Sequence, residues 1–229
     1  MTPEELLQGQ VLLVDKPLGW SSFQAVNKLK YTLKNQTGVS KFKIGHAGTL
    51  DPLATGLLVV CTGKMTKRIH EFQDAVKEYT GTIVVGSTTP SFDLETAVNE
   101  HFPIEHINEA SIIETTKQFI GEIQQVPPVF SAIKKEGVRL YEHARAGETV
   151  HIEPRTVTIY EFEITACSLP DIQFRVVCSK GTYIRSLAND LGRALESGAH
   201  LSVLRRTAIG SLKAADAHDP TWFEQEISM

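Results

Sequence analysis

The sequence predicts an α+β fold with a mixed, mainly antiparallel sheet and flanking helices. Three observations carry this. Residues 156–165 are rich in β-branched residues and alternate in character, the period-two pattern of a half-buried strand, and residues 172–178 read as another strand. Residues 182–195 place Ile184, Leu187, Ala188, Leu191 and Leu195 on one stripe, the pattern of an amphipathic helix. Strands and helices then follow one another without the strict strand–helix–strand rhythm of a doubly wound parallel sheet.

In chain order, residues 11–14 form a short apolar strand, and Lys16-Pro17-Leu18-Gly19 reads as a turn. Ser21 or Ser22 caps a helix running to about Leu33. A loop with Lys41 and Lys43 leads into residues 44–62. There Gly45, Gly48 and Gly56 punctuate a loop holding His46, Thr49, Asp51 and Pro52, and residues 57–61 read as a buried strand. Residues 78–86 form another strand, residues 88–95 an acidic turn-rich loop, and residues 108–120 a helix. Val126-Pro127-Pro128-Val129 is incompatible with a helix interior and introduces the basic stretch 131–147. Residues 200–209 return as a strand carrying Leu204, Arg205 and Arg206, and residues 216–229 form a short terminal element. No repeat or linker interrupts the chain, so a single domain over residues 1–229 is expected.

The 229 residues carry a formal net charge of −4. A globally basic footprint for nucleic acid is missing, which leaves only a local one, because phosphate attraction acts over about one Debye length, ~8 Å. Cys61, Cys167 and Cys178 are odd in number and lack a Cys-x-x-Cys pair, so they read as small apolar residues rather than disulfide or zinc ligands. The eight histidines are scattered without a zinc spacing. The acidic N-terminus lacks the pattern of a signal peptide, and no apolar run reaches the ~20 residues of a membrane span. A cytoplasmic protein is expected.

Asp51 sits in a glycine-rich loop ahead of a buried strand, where a carboxylate can act as nucleophile, base or ligand. An Asp-Pro pair is also an ordinary turn, and the residues alone leave both readings open. Phosphate-loop and dinucleotide glycine motifs are absent, as is the serine-hydrolase elbow.

The run Gly45-His46-Ala47-Gly48-Thr49-Leu50-Asp51-Pro52-Leu53-Ala54-Thr55-Gly56-Leu57-Leu58 resembles the catalytic signature of the TruB family of pseudouridine synthases. Four further blocks follow the family's order. They are Val14-Asp15-Lys16-Pro17 with Gly19 and Ser21-Ser22; Lys77-Glu78-Tyr79; Val126-Pro127-Pro128 through Ser131-Ala132-Ile133-Lys134 with Leu140-Tyr141; and Cys178 to Arg185 together with Leu204-Arg205-Arg206. The resemblance spans nearly the whole chain. It implies the family's pseudouridine-synthase fold, with a sheet divided by a central catalytic cleft and an RNA-gripping insertion at about residues 124–152.

It further implies that the enzyme isomerises uridine 55 in the T loop of tRNA, without cofactor or metal, after flipping the base out of its stack. Asp51 would be the catalytic carboxylate, Tyr79 would stack on the uracil, and Arg185 would pair with Asp51. His46 would contact the RNA, Leu204 would pack against the base, and Lys16 would lie near the cleft as a supporting basic group. Gly48, Lys134 and Arg205 complete the expected substrate contacts. Lys41 and Lys43, Lys64, Lys67 and Arg68, Lys134, Lys135 and Arg139, and Arg205 with Arg206 are expected to form the local basic footprint. Many relatives continue into a C-terminal PUA domain, and too few residues follow Ile209 to encode one here. Pro90 stands where the commoner family version has Asp, which leaves the polar role of residues 88–95 open. The T arm of tRNA is the expected partner, and a monomer the expected state.

Overall fold

The computed structural model describes residues 1–131, 134, 135, 138, 139 and 152–226. Most of the basic stretch 131–147 lies outside the described residues, as does the side chain of Lys134. The main strands are β1 (Val11–Lys16), β2 (Ile44–His46), β3 (Ala54–Thr62), β4 (Lys77–Val85), β5 (Gly121–Gln125), β6 (Arg155–Ser168), β7 (Asp171–Cys178), β8 (Ala199–Ile209) and β9 (Leu212–Lys213). The helices are α1 (Pro3–Gln8), α2 (Ser22–Thr37), α3 (Ile69–Asp74), α4 (Glu109–Lys117), α5 (Ile184–Ala194) and α6 (Trp222–Glu226). The chain divides into two compact units, residues 1–79 with 204–229, and residues 80–203.

In the first unit β3 is the central strand. β1 lies antiparallel along one edge, from Val11 opposite Cys61 to Lys16 opposite Gly56. The other edge is shared. Leu204–Arg206 of β8 pair in parallel with Ala54–Gly56, and Ile44–His46 pair antiparallel with Val60–Thr62. Both faces of β3 are covered, which accounts for its unbroken apolar run. Leu58 and Val60 pack with Ala25, Val26, Leu29 and Leu33 of α2. Leu57, Val59 and Cys61 pack on the opposite face with Ile209 and Ala214.

α2 starts where the sequence places it. Ser21 is its cap, with the hydroxyl accepting from the Gln24 amide at 3.2 Å, a reciprocal box with Gln24. It runs one turn beyond Leu33 and stops at Gly38, whose left-handed φ of 71° lets its amide reach the Lys34 carbonyl at 3.0 Å. α1 was not expected, although Thr2 and Glu5 form a capping box around Pro3.

In the second unit the strand order is β4–β7–β6–β5, with β5–β6 and β6–β7 antiparallel. Phe162 of β6 meets Phe119 and Phe174 edge-on. α5 buries the expected stripe of Ile184, Leu187, Ala188 and Leu191. The fold is therefore α+β with a mixed, mainly antiparallel sheet, as the sequence predicts.

Candidate active-site loop

The loop 47–53 joins β2 to β3; its first end lies against β3 at Val60, opposite His46, and its last end lies beside Leu204, opposite Ala54. Its path is set by side chains from three separate elements, tied to alternate residues. Gly48 has a φ of 90°, a left-handed conformation suited to glycine. Its carbonyl accepts from Arg206 Nη2 at 3.1 Å, while Arg206 Nε donates to the Leu57 carbonyl at 2.8 Å. The peptide of Leu50 is gripped at both ends by Ser22, whose hydroxyl accepts from the amide at 2.8 Å and donates to the carbonyl at 3.0 Å. The carbonyl of Pro52 accepts from Lys16 Nζ at 3.4 Å and from the Gly19 amide at 2.8 Å.

Asp51 lies between two of these anchors and is half-buried. Its carbonyl accepts from the Ala54 amide at 3.0 Å, which closes a turn with Pro52 at the second position, where its fixed φ fits. The turn reading of Asp-Pro and the chemical reading are thus compatible, because the backbone closes the turn.

Lys16 is 0% exposed. Its ammonium donates to the carbonyls of Trp20 at 2.6 Å, Pro17 at 2.9 Å and Pro52. Enclosed in this way it holds the loop, as a supporting basic group beside Asp51. Burial lowers its pKa to about 8, opposed by the charge of Asp51 and assisted by that of Arg206. Arg206 is likewise buried and leaves the expected basic footprint. Arg205 forks onto Asp15, with N–O distances of 2.9 and 2.7 Å. Asp15 stands opposite Leu57 and Arg205 opposite Thr55, so the pair bridges β3 across one face. Its charge is matched there, which weakens it as a phosphate ligand.

His46 ends β2. Burial pushes its imidazole below the usual value, against a hydrogen bond with the Gly48 backbone, and the charge of Arg206 lowers it further. The direction of the shift favours the neutral ring. Tyr79 is third in β4 and half-buried. The start of its strand is fixed by Lys77, whose ammonium takes the Phe72, Gln73 and Ala75 carbonyls at the end of α3. Glu78 adds a further tie, accepting from the Thr207 hydroxyl at 2.7 Å.

Arg185 belongs to the second unit. It is 3% exposed, donates to the carbonyls of Ser91 at 3.1 Å and Phe130 at 2.8 Å, and lies 3.6 Å from Asp93. The residues 88–95 therefore do have a polar role, carried by Asp93. Pro90 takes the second position of the turn closed by the Phe92 amide on the Thr89 carbonyl, where proline is favoured. The start of α5 lacks a side-chain cap. Gln125 takes over that task, since its amide group accepts from the Tyr183 N–H and donates to the Tyr183 carbonyl. Ser22, Asp93 and Gln125 were not singled out as site residues from the sequence. Only contacts distant in sequence give them these tasks.

Two expected outcomes arise here. Ser22→Ala leaves both polar groups of the buried Leu50 peptide without that partner, which costs about 1–3 kcal/mol of stability. It also loosens the residue before Asp51. Turnover should fall roughly tenfold to a hundredfold, the scale of a displacement near 1 Å, with substrate affinity unchanged. Parallel measurement of turnover and binding checks this; equal turnover by variant and wild type would remove Ser22 from the argument.

The second concerns Lys16. Its proton is held more tightly by the unfolded chain than by the folded one, so the folded state is penalised below about pH 8 and relieved as pH rises towards 10.5. The unfolding free energy of wild type relative to Lys16→Met should therefore increase through that window, by at most about 1.4 kcal/mol per pH unit. Urea unfolding of both proteins at pH 7.5 and 9.5 reads the difference, and a flat or falling one contradicts the burial of the charged ammonium.

The loop that carries the Asp51 carboxylate is thus tethered at residues 48, 50 and 52. Residues 34–184 match the model of the TruB family pseudouridylate synthase N-terminal domain, and residues 185–226 that of the tRNA pseudouridylate synthase B C-terminal domain. The chain belongs to the TruB family of pseudouridylate synthases. A tRNA pseudouridine synthase B of Flavobacterium johnsoniae is 68% identical over 228 residues, covering 99% of this chain and 100% of that protein. One of Bacteroides fragilis is 53% identical over 220 residues, covering 96% and 94%. One of Burkholderia lata is 49% identical over 210 residues, covering 92% of this chain and 63% of that protein. Among solved structures, a chain in a Cbf5–Nop10–Gar1 complex superposes with a TM-score of 0.68 at 33% identity, covering 92% of this chain and 51% of that one. A chain of the archaeal box H/ACA sRNP Nop10–Cbf5 complex gives 0.69 at 28% identity, covering 97% and 54%. This chain spans about half the length of those two. Among the described residues no helix is long and apolar enough to cross a membrane.

Proposed function

We propose that this protein converts uridine 55 in the T loop of tRNA to pseudouridine, with Asp51 as the catalytic carboxylate. The observation that carries the reading is the threefold tethering of the loop around Asp51 by Arg206, Ser22 and Lys16, in a chain 68% identical over its full length to a protein named for this activity. The reaction is balanced without a co-reactant. The N1–C1′ bond of the nucleotide breaks, a C5–C1′ bond forms, the proton on C5 is lost and one is gained at N1.

Fixing a carboxylate before the substrate arrives avoids reorganisation at the moment of reaction. The charge of Lys16, which interacts with that of Asp51, favours the carboxylate. Tyr79 is proposed to stack on the uracil, a contact worth ~1–3 kcal/mol per base, and to assist removal of the C5 proton. Leu204, registered opposite Ala54, packs against the base. His46 and Gly48 meet the RNA at the other end of the loop, and Arg205 lies at its rim. Arg185 and Lys134 enter the proposal on the family resemblance alone. The protein is proposed to act as a cytoplasmic monomer.

The test is pseudouridine mapping on unmodified tRNA incubated with the purified protein in the presence of chelator. Pseudouridine at the T-loop position is the expected product. Free uracil would identify a glycosidic hydrolase instead. Binding without any modification would make the protein an RNA-remodelling factor.

A further inference from the structure

Residues 16–50 contain six lysines and no aspartate or glutamate, in a chain with 27 acidic residues. Lys16 is consumed by the loop, and Lys28 pairs with Glu224 at 2.5 Å. The other four, Lys30, Lys34, Lys41 and Lys43, are exposed, and none pairs with a carboxylate among the described residues. Exposed lysines on a helix are ordinarily a solvated face. Two features set this one apart.

The first is its aromatic content. The outward side of α2 reads Phe23, Asn27, Lys30 and Lys34, at spacings of four, three and four, which places them on one stripe. Tyr31 stands beside it. Phe23 is 69% and Tyr31 65% exposed, the most exposed aromatic side chains among the described residues. One exposed aromatic residue needs no explanation; two of them interleaved with unpaired lysines have the composition of a surface that stacks bases and neutralises phosphates.

The second is its position. Phe23 directly follows Ser22, which grips the peptide of Leu50 next to Asp51. The stripe therefore begins at the catalytic loop and extends along α2 for about 16 Å at 1.5 Å per residue. Val39, Phe42 and Ile44 pack into the same core as α2, and Lys41 and Lys43, which alternate with Phe42 and Ile44, are exposed just past its end.

We propose that this face of α2, with Lys41 and Lys43, is a second RNA-binding surface. It takes the sugar-phosphate backbone of the tRNA beyond the target nucleotide, with Phe23 and Tyr31 as stacking platforms. The inference rests on tRNA being the substrate.

It is tested with the full chain carrying Lys30→Glu and Lys34→Glu together, and separately Phe23→Ala and Tyr31→Ala together. Affinity for unmodified tRNA is measured by anisotropy from 50 to 300 mM salt, and turnover at saturating tRNA by pseudouridine mapping. The lysine pair should weaken binding about tenfold or more and lower the slope of log affinity against log salt by about 1 per lysine. The aromatic pair should weaken binding about fivefold or more with the slope preserved. Turnover at saturation and the thermal midpoint should match wild type in both.

Wild-type affinity and slope in the lysine variant, with active wild type, overturn the surface and leave the enzyme reading standing. So does a change only in sedimentation, which would mark the face as a contact between copies. An inactive wild type instead removes the reading on which the inference rests.

Discussion

Asp51→Asn is expected to reduce pseudouridine formation by at least roughly 10³-fold, the scale seen when a reacting group is removed, while tRNA affinity stays within about twofold. The asymmetry follows from how the loop is built. The ties that set its path run to the main chain of Gly48, Leu50 and Pro52, and the turn at Asp51 closes through its carbonyl. An isosteric amide leaves these intact and removes one negative charge. Lys16 supplies an internal control. The charge of Asp51 is what opposes the burial of the ammonium, so the substitution should lower the pKa of Lys16 further and move the onset of its pH-dependent stabilisation to lower pH. A variant that retains turnover would show that another group performs the chemistry. A variant inactive only because it has unfolded would lose affinity and stability together.

The sequence made the elements legible wherever one local pattern dominated. The apolar stripe of α5 and the alternation of β6 each follow from spacing alone, and so did the α+β class. Less legible were elements whose reasons are distant. β5 has the polar sequence Gly121-Glu122-Ile123-Gln124-Gln125 and is a strand because β6 pairs with it from Gly121 to Gln125. In the same way, Arg205 and Arg206 look equivalent in sequence. Alternation along β8 sends one to Asp15 on the surface and the other into the interior beneath Gly48. Lys16 looks like a basic group for an anionic ligand, and only the surrounding carbonyls show it to be structural. Charge was thus the least reliable guide to the site, since three of its cations are occupied by the protein itself. The glycine-rich loop was the better one, because Gly48 and Gly56 mark where backbone must take an unusual path.

Gly56→Ala should test that path most severely. Gly56 has a φ of 99° inside β3, and a Cβ there would lie 2.3 Å from the carbonyl oxygen and 2.9 Å from the amide nitrogen of Arg206. Both obstacles are backbone atoms of the adjacent strand, so no rotamer change relieves them. Two costs add: a left-handed conformation for a residue with a side chain, about 1–2 kcal/mol, and forced separation of packed strands, about 1–3 kcal/mol. The strand displaced is the one that carries Leu204 and supplies Arg206 to the Gly48 and Leu57 carbonyls, so stability and turnover should fail together. Gly38→Ala separates the two costs, because Gly38 also has a left-handed φ, 71°, but nothing lies within 4 Å of an added Cβ. Urea unfolding should show a loss of about 1–2 kcal/mol for Gly38→Ala and about 2–5 kcal/mol, or no soluble protein, for Gly56→Ala. Equal losses in the two variants would mean that the close approach of β8 to β3 at Gly56 is not what requires glycine there.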